Sequence, residues 1–384
     1  MAKPLLAPHG PSAEPTTHQP APALRSSARP RFLRVDLWRG VAILFIFINH
    51  LPANSLQHWT ITPHGFSDTA VWFFFLSGFV ARLVYSRVVR EQGLATASAK
   101  IVRRLVELYA CHVCLALVFI GTAWLLARGT QPPPVWATKP AALLAGQSPG
   151  AALVASLTFR LNGFCINVLP SYLVLLVFFL GTTVLERRFR VPPMLVALGL
   201  FGINVVFRRQ FFVSWSFNPL SWQLLFHLGG WVYDRRERLV SGSWRTTVVL
   251  ALAWAALLTC AFVRHAHDLL PPDWADRVAR FEPLRNKILL NPPYLFHGLL
   301  TLFALGCLVS DFTIARVAPL RGLAVLGRKP LPLFVLTTAV CFAAYYLHGR
   351  TLGPFATVGY VVIGLGLGAG YVRLTARTAA AAAA

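Results

Sequence analysis

The chain has 384 residues, 56% of them hydrophobic and only 13% charged, too little polar surface to cover a soluble globule of this length. It reads as an integral membrane protein. The formal net charge of +23 comes from Lys and Arg clustered in short segments between apolar runs, as orientation signals and anionic-lipid contacts are, so nucleic acid is not expected as a partner.

In chain order, residues 1–30 are rich in Pro, Ala, Ser and Thr and hold no apolar run of signal-peptide length, which predicts a disordered cytoplasmic tail. Residues 31–376 read as one transmembrane domain with no linker or repeat dividing it, and 377–384 as a second disordered tail. Apolar windows fall at 37–52, 69–86, 105–127, 166–185, 191–207, 218–233, 246–263, 290–310, 331–347 and 353–372. The expected fold is therefore all-α, a single bundle of about ten transmembrane helices. With both termini inside, 25 of the 36 Lys and Arg residues fall on the inner side and 11 on the outer, which favours that orientation and a multi-pass inner-membrane location.

The six cysteines lie singly or as Cys111 and Cys114, all in or beside apolar stretches. No disulfide framework follows. CHVC at 111–114 lacks a second ligand cluster, so no metal is expected.

The first helix carries the most informative pair. Arg39 and His50 are eleven residues apart, three turns plus about 20°, and so share a face some ~16 Å apart along the axis. Asp36, Arg39, Ile43, Ile46 and His50 form one stripe. An ionisable residue inside a bilayer is expensive unless it lines a polar cavity, which makes Arg39 and His50 candidate functional residues. Asp68 opens the second helix from the outer side at a depth similar to that of His50. It reads equally as a helix cap and as the carboxylate that orients the imidazole for general-base work.

Ser77 and Gly78 in FFFLSGF read as a small pair for close helix packing. Lys100, Arg103 and Arg104 open the third helix at the inner boundary, where adjacent guanidiniums suit phosphate; membrane anchoring explains their charge as well. Asn167, Tyr172, Asn218, Trp222 and Gln223 fall at or just inside outer helix ends. Amides beside aromatic faces suit a sugar, and equally describe an interfacial aromatic belt. The loop 264–289 is dense in polar groups, among them Arg277, Arg280, Arg285 and Lys287.

Taken as an ordered set, RVDLWRGVAILFIFINH, GFSDTAVWFFFLSGF, KIVRRLVELY, NVLPSY, FNPLSWQLLF and LGRKPLPLF resemble the membrane acyltransferase-3 superfamily, and within it the OpgC group, associated with succinylation of osmoregulated periplasmic glucans. The resemblance covers residues 31 to about 350. It implies an enzyme that takes an acyl group from cytoplasmic acyl-CoA, succinyl-CoA in the OpgC case, as a donor substrate with no bound cofactor. The acceptor is a hydroxyl on an extracytoplasmic glycan.

By the same resemblance His50 is the catalytic base, with Asp68 its acidic partner, and Arg39 holds the CoA or thioester end. Arg103, Arg104 and Lys100 contact CoA phosphates. Asn218, Trp222, Gln223, Asn167 and Tyr172 line the substrate cavity. The free carboxylate of a succinyl group needs a cation, for which Arg160, Arg277, Arg280, Arg285 and Lys287 are the outer candidates. The chain departs from the OpgC-like pattern by Asn49 where an Asp precedes the His and by Val71 where an acid follows the Ser-Asp pair. The rival class is a transporter or flippase with an Arg39, Asp68 and His50 pathway, although no inverted repeat is visible.

Overall fold

The computed structural model describes residues 32–127, 148–160, 167–207, 212, 215–239, 244–265, 287–349 and 351–381. Among these the chain is helical, with one isolated bridge between Ala53 and Thr351. The expected 1–30 tail and Arg277, Arg280 and Arg285 lie outside the described residues.

Helix α1 spans Leu33–His50 and buries Leu37, Arg39, Gly40, Ile43 and Phe47, the three-to-four-residue spacing of one helical face. Helix α2 runs Ala70–Ala127 and is broken only at Gly93, whose φ of 86° and ψ of 167° interrupt the spiral. A residue without Cβ takes this conformation at little steric cost. The windows 69–86 and 105–127 thus fall on two arms of one long element. The basic stretch between them stays helical because Arg, Glu, Gln and Ala are helix formers, helped by the i,i+4 pair of Arg87 with Glu91 at 2.6 Å. The second arm folds back along the first, since Ser77 and Leu108 border one small pocket.

Further along come α3 (Pro149–Leu157), α4 (Val168–Phe189), α5 (Pro193–Val206), α6 (Pro219–Leu239) and α7 (Trp244–His265). They are followed by α8 (Pro292–Leu308), α9 (Asp311–Arg316), α10 (Ala318–Gly327), α11 (Pro330–His348) and α12 (Pro354–Ala381). Proline in the first turn opens α3, α5, α8, α10 and α11, where its missing N–H has no intrahelical partner to lose. The C-terminal tail differs from the sequence expectation: α12 continues through residues 377–381, because a run of alanine, the strongest helix former, extends an existing helix.

By length and composition, four helices among the described residues suffice to cross a membrane: α2, α4, α11 and α12. Shorter apolar stretches lie in α5, α7, α8 and α10. Helices α1 and α6 coincide with apolar windows too, but each carries charge at one end: Arg34, Asp36 and Arg39 in α1, and DRRERL closing α6.

The packing brings α2 and α6 into backbone contact. A Cβ at Gly78 would strike the carbonyl of Phe226, and one at Gly229 the carbonyl of Phe75. The Ser77–Gly78 pair therefore does place a small residue at a helix crossing. Arg82 of α2 then forms a bidentate pair with Glu186 of α4 and reaches Asp234 of α6 at 3.0 Å, joining three helices. Around the α2–α6 seam sits an aromatic core in which Phe74, Trp222 and Phe226 are fully buried.

Candidate active site

At the His50 end of the bundle, α1 terminates and residues 51–69 turn across it in two short 3-10 segments, Ser55–Trp59 and Thr62–His64. Side chains hold this crossing in place. Asn54 Nδ2 donates to the carbonyls of Ile48 and Pro52 at 3.1 and 2.9 Å, and Leu352 N donates to Ala53 O at 2.9 Å. Asn49 Nδ2 donates to Thr62 Oγ1, while Thr60 Oγ1 donates to Asn49 Oδ1, both at 2.9 Å. Ser67 Oγ lies 2.7 Å from His297 Nδ1 of α8, both groups buried.

Beneath the crossing is a cavity of about 280 Å³. Its walls come from the last turn of α1 (Ile46, Asn49, His50), the start of α2 (Asp68, Thr69, Ala70, Phe73, Phe74), the start of α4 (Asn167, Val168), and Thr62, Ser216, Phe217 and Lys287.

His50 Nδ1 lies 2.7 Å from the carbonyl oxygen of Ile46. A carbonyl only accepts, so Nδ1 carries the hydrogen and the neutral ring holds its lone pair on Nε2. The orienting acceptor is thus backbone, one turn back on the same helix, and not a carboxylate. Asp68 shares the cavity but spends Oδ1 on the Ala70 N–H at 2.8 Å, the helix-cap role. Its Oδ2 lies 4.0 Å from Lys287 Nζ, and Lys287 also stands 5.1 Å from the centre of the Phe217 ring.

Arg39 is buried three turns below His50, and its Nε has no hydrogen-bond partner among the described residues. It lies within electrostatic range of Tyr172, Asp36 and Arg104. Of the three basic candidates for phosphate, Lys100, Arg103 and Arg104, each goes a different way. Arg104 borders a second, much smaller pocket together with Tyr172 and donates to Glu107 at 3.0 Å. Arg103 has a side chain 84% exposed, pairing with Glu107 at 3.3 Å. Lys100 reaches back across Gly93 to Gln92 Oε1 at 2.9 Å. Only Arg104 faces into the bundle.

The amides of α6 do not reach the cavity. Asn218 caps α6 through Leu220 N at 3.0 Å and donates to Asn204 of α5 at 3.3 Å. Gln223 donates to the carbonyls of Ala197 and Leu220 at 2.7 and 3.1 Å. Both side chains are fully buried and pin α5 to α6. Trp222 is fully buried as well, donating from Nε1 to the carbonyl of Lys287 at 2.8 Å, so it fixes the backbone that presents Lys287. Of the sugar-facing candidates, Asn167 lines the large cavity and Tyr172 the small one. Sequence alone does not single out Asn49's two threonine partners or His297. A polar residue adjoining a candidate base and a His in an apolar helix were the available signals.

The bundle and its contents define a helical membrane protein with a cavity of mixed polar and apolar lining, His50 in its wall, at one end of an apolar core. Residues 31–380 match the family model described as OpgC protein, and the chain belongs to that family. No curated protein and no solved structure matches it.

Proposed function

We propose that the protein is a membrane O-acyltransferase that moves an acyl group, succinyl foremost, from cytoplasmic acyl-CoA to a hydroxyl of a periplasmic glucan or other extracytoplasmic carbohydrate. Membership of the OpgC family supports the reaction class. The observation that carries the chemistry is His50, with Nδ1 tied to the Ile46 carbonyl, in the wall of a 280 Å³ cavity.

In this reading the Asp36 end of α1 faces the cytoplasm. Nε2 of His50 takes the proton of a sugar hydroxyl as the oxygen attacks the thioester carbonyl. The tetrahedral intermediate collapses, and the leaving CoA thiolate takes the proton back from the imidazolium. The Ile46 carbonyl favours this because it accepts from Nδ1–H in both protonation states. Asp68 stabilises the imidazolium at a distance, and Lys287 supplies the cation for the free carboxylate of a succinyl donor. Arg104 receives CoA phosphate at the inner side, and Arg39 lies between the two ends.

The test uses membrane vesicles holding the full chain, labelled succinyl-CoA on the cytoplasmic face and linear or cyclic glucan on the other. Wild type is expected to give covalently labelled glucan. His50→Ala is expected to give none while inserting and extracting like wild type. Labelled glucan from His50→Ala overturns the assignment of the base, and movement of a solute with no covalent product replaces the enzyme with a transporter.

A further inference from the structure

The large cavity and the small pocket are stacked on the same two helices. From α2 the first takes Thr69, Ala70, Phe73 and Phe74, and the second takes Phe73 and Ser77, one turn further on; from α4 the first takes Asn167 and Val168, the second Leu169 and Tyr172. Phe73 is the residue common to both, buried, with its ring 6.0 Å from that of Tyr172. On the far side of the small pocket stands Arg104. The order along the bundle is therefore His50 cavity, Phe73, Ser77, Arg104.

Ser77 is one of three buried helical serines, with Ser86 and Ser156, whose hydroxyls have no partner among the described residues, and it is the one of the three that borders this pocket. It is 2% exposed and its Oγ has no hydrogen-bond partner among the described residues. A buried helical hydroxyl ordinarily turns back to the carbonyl one turn earlier, as Ser171, Thr183, Thr301 and Thr337 do here, to Asn167, Phe179, His297 and Leu333 at 3.1, 2.7, 2.7 and 2.8 Å. Ser77 instead borders the pocket with its donor unspent. Leaving such a group unpaired is costly, a cost that a partner entering the pocket removes. The pocket holds about 10 Å³, room for one water at most, so anything longer enters only when a wall side chain turns aside.

We infer that this pocket is the closed segment of a donor channel, in which Ser77 donates its hydroxyl hydrogen to a carbonyl of the amide-bearing thioester arm of an acyl-CoA and Phe73 is the side chain that swings out of the way. This rests on the acyl-transfer reading for the identity of the arm. The chemistry suits it: a narrow, mostly apolar passage takes the straight β-alanyl-cysteamine end of the arm, one hydroxyl serves one amide or thioester carbonyl, and Arg104 at the inner mouth takes the charged end. Ser77 acts here as a binding residue, and the proton transfers remain with His50.

The experiment measures binding of an S-ethyl thioether of CoA, which cannot transfer its alkyl group, to the full chain in nanodiscs, alongside steady-state kinetics. Ser77→Ala is expected to weaken thioether binding and raise KM for acyl-CoA about tenfold, with KM for the glucan unchanged and the melting temperature equal to or above that of wild type, since an unpaired buried hydroxyl is removed. Phe73→Leu, which shortens the partition without removing it, is expected to raise acceptor-independent hydrolysis of the thioester severalfold, because water then reaches the arm. Wild-type transfer with neither variant altering donor affinity or hydrolysis overturns the channel. Ser77-dependent thioether binding in a protein that transfers nothing keeps the channel and removes the enzymatic reading instead. Should Ser77→Ala fail to fold, the Phe73→Leu hydrolysis decides alone.

Discussion

Lys287 Nζ lies 4.0 Å from Asp68 Oδ2 at the edge of the His50 cavity, the lysine held from behind by its own backbone carbonyl, which accepts from buried Trp222. Anchoring of this kind fixes where the ammonium can reach. On the acyl-transfer reading it meets the carboxylate of a dicarboxylic acyl group, a charge-assisted contact in a half-buried site. Lys287→Met is expected to raise KM for succinyl-CoA on the order of tenfold, the size of a lost hydrogen bond to a charged group, and to leave transfer of a neutral acetyl group within twofold. Equal loss with both donors in parallel kinetics places Lys287 in the scaffold.

Asn49 ties the end of α1 to the crossing segment through Thr60 and Thr62. Asn49→Ala removes both bonds and is expected to cost about 1–3 kcal/mol, read as a lower melting temperature in detergent. Asn49→Asp is expected to cost much less. A carboxylate only accepts, but both threonine hydroxyls rotate and can donate to it, so the Asp of the OpgC-like pattern fits the same place. A larger loss for Asp than for Ala would show that the two threonines are not free to rotate.

The helices were legible because hydrophobic length and period are local properties of the chain: each apolar window falls on a helix, and Arg39 and His50 follow from α1 being unbroken. What stayed hidden depends on which partner a polar group meets after folding. Asn218 and Gln223 have the chemistry of sugar-binding amides, yet their donors go to Asn204 and to the Ala197 carbonyl across the α5–α6 seam. Asp68 could orient an imidazole, but the Ile46 carbonyl lies nearer along the same helix. The break at Gly93 leaves its flanks helical, so the segment between the windows 69–86 and 105–127 is helix on both sides of a kink. Lys287 sits in a polar loop with three other candidate cations, Arg277, Arg280 and Arg285; its place in the cavity wall and its tie to Trp222 arise only on folding.

The separation of Arg104 from Arg103 gives a direct contrast. Arg104 borders the small pocket, whereas the side chain of Arg103 is 84% exposed. Adjacent helical positions point about 100° apart, so one residue of the pair can face the bundle and the other cannot. Arg104→Ala is expected to raise KM for acyl-CoA on the order of tenfold and to flatten its dependence on ionic strength, as loss of a phosphate contact does. Arg103→Ala is expected to stay within twofold. Glu107 pairs with both arginines, so Glu107→Gln serves as the control for loss of that pairing alone.

Arg82 is the cation of a three-helix cluster whose two carboxylates, Glu186 and Asp234, approach it from α4 and α6. Its side chain is 15% exposed and those of the acids 25% and 38%, so the acids keep some contact with water. Removing the arginine strands two negative charges, for which buried pairs lose 3–5 kcal/mol; with this exposure Arg82→Met is expected to lose roughly 2–3 kcal/mol. Arg82→Lys keeps the charge but not the planar fork that serves Glu186 with two nitrogens, and should fall between. The decisive variant removes the acids as well. If the loss comes from stranded charge, Arg82→Met combined with Glu186→Gln and Asp234→Asn returns most of the melting temperature, because neutral side chains of similar size leave nothing unpaired to desolvate. If the triple variant melts no higher than Arg82→Met, the arginine holds α2, α4 and α6 through its own packing, and the ion pairs add little.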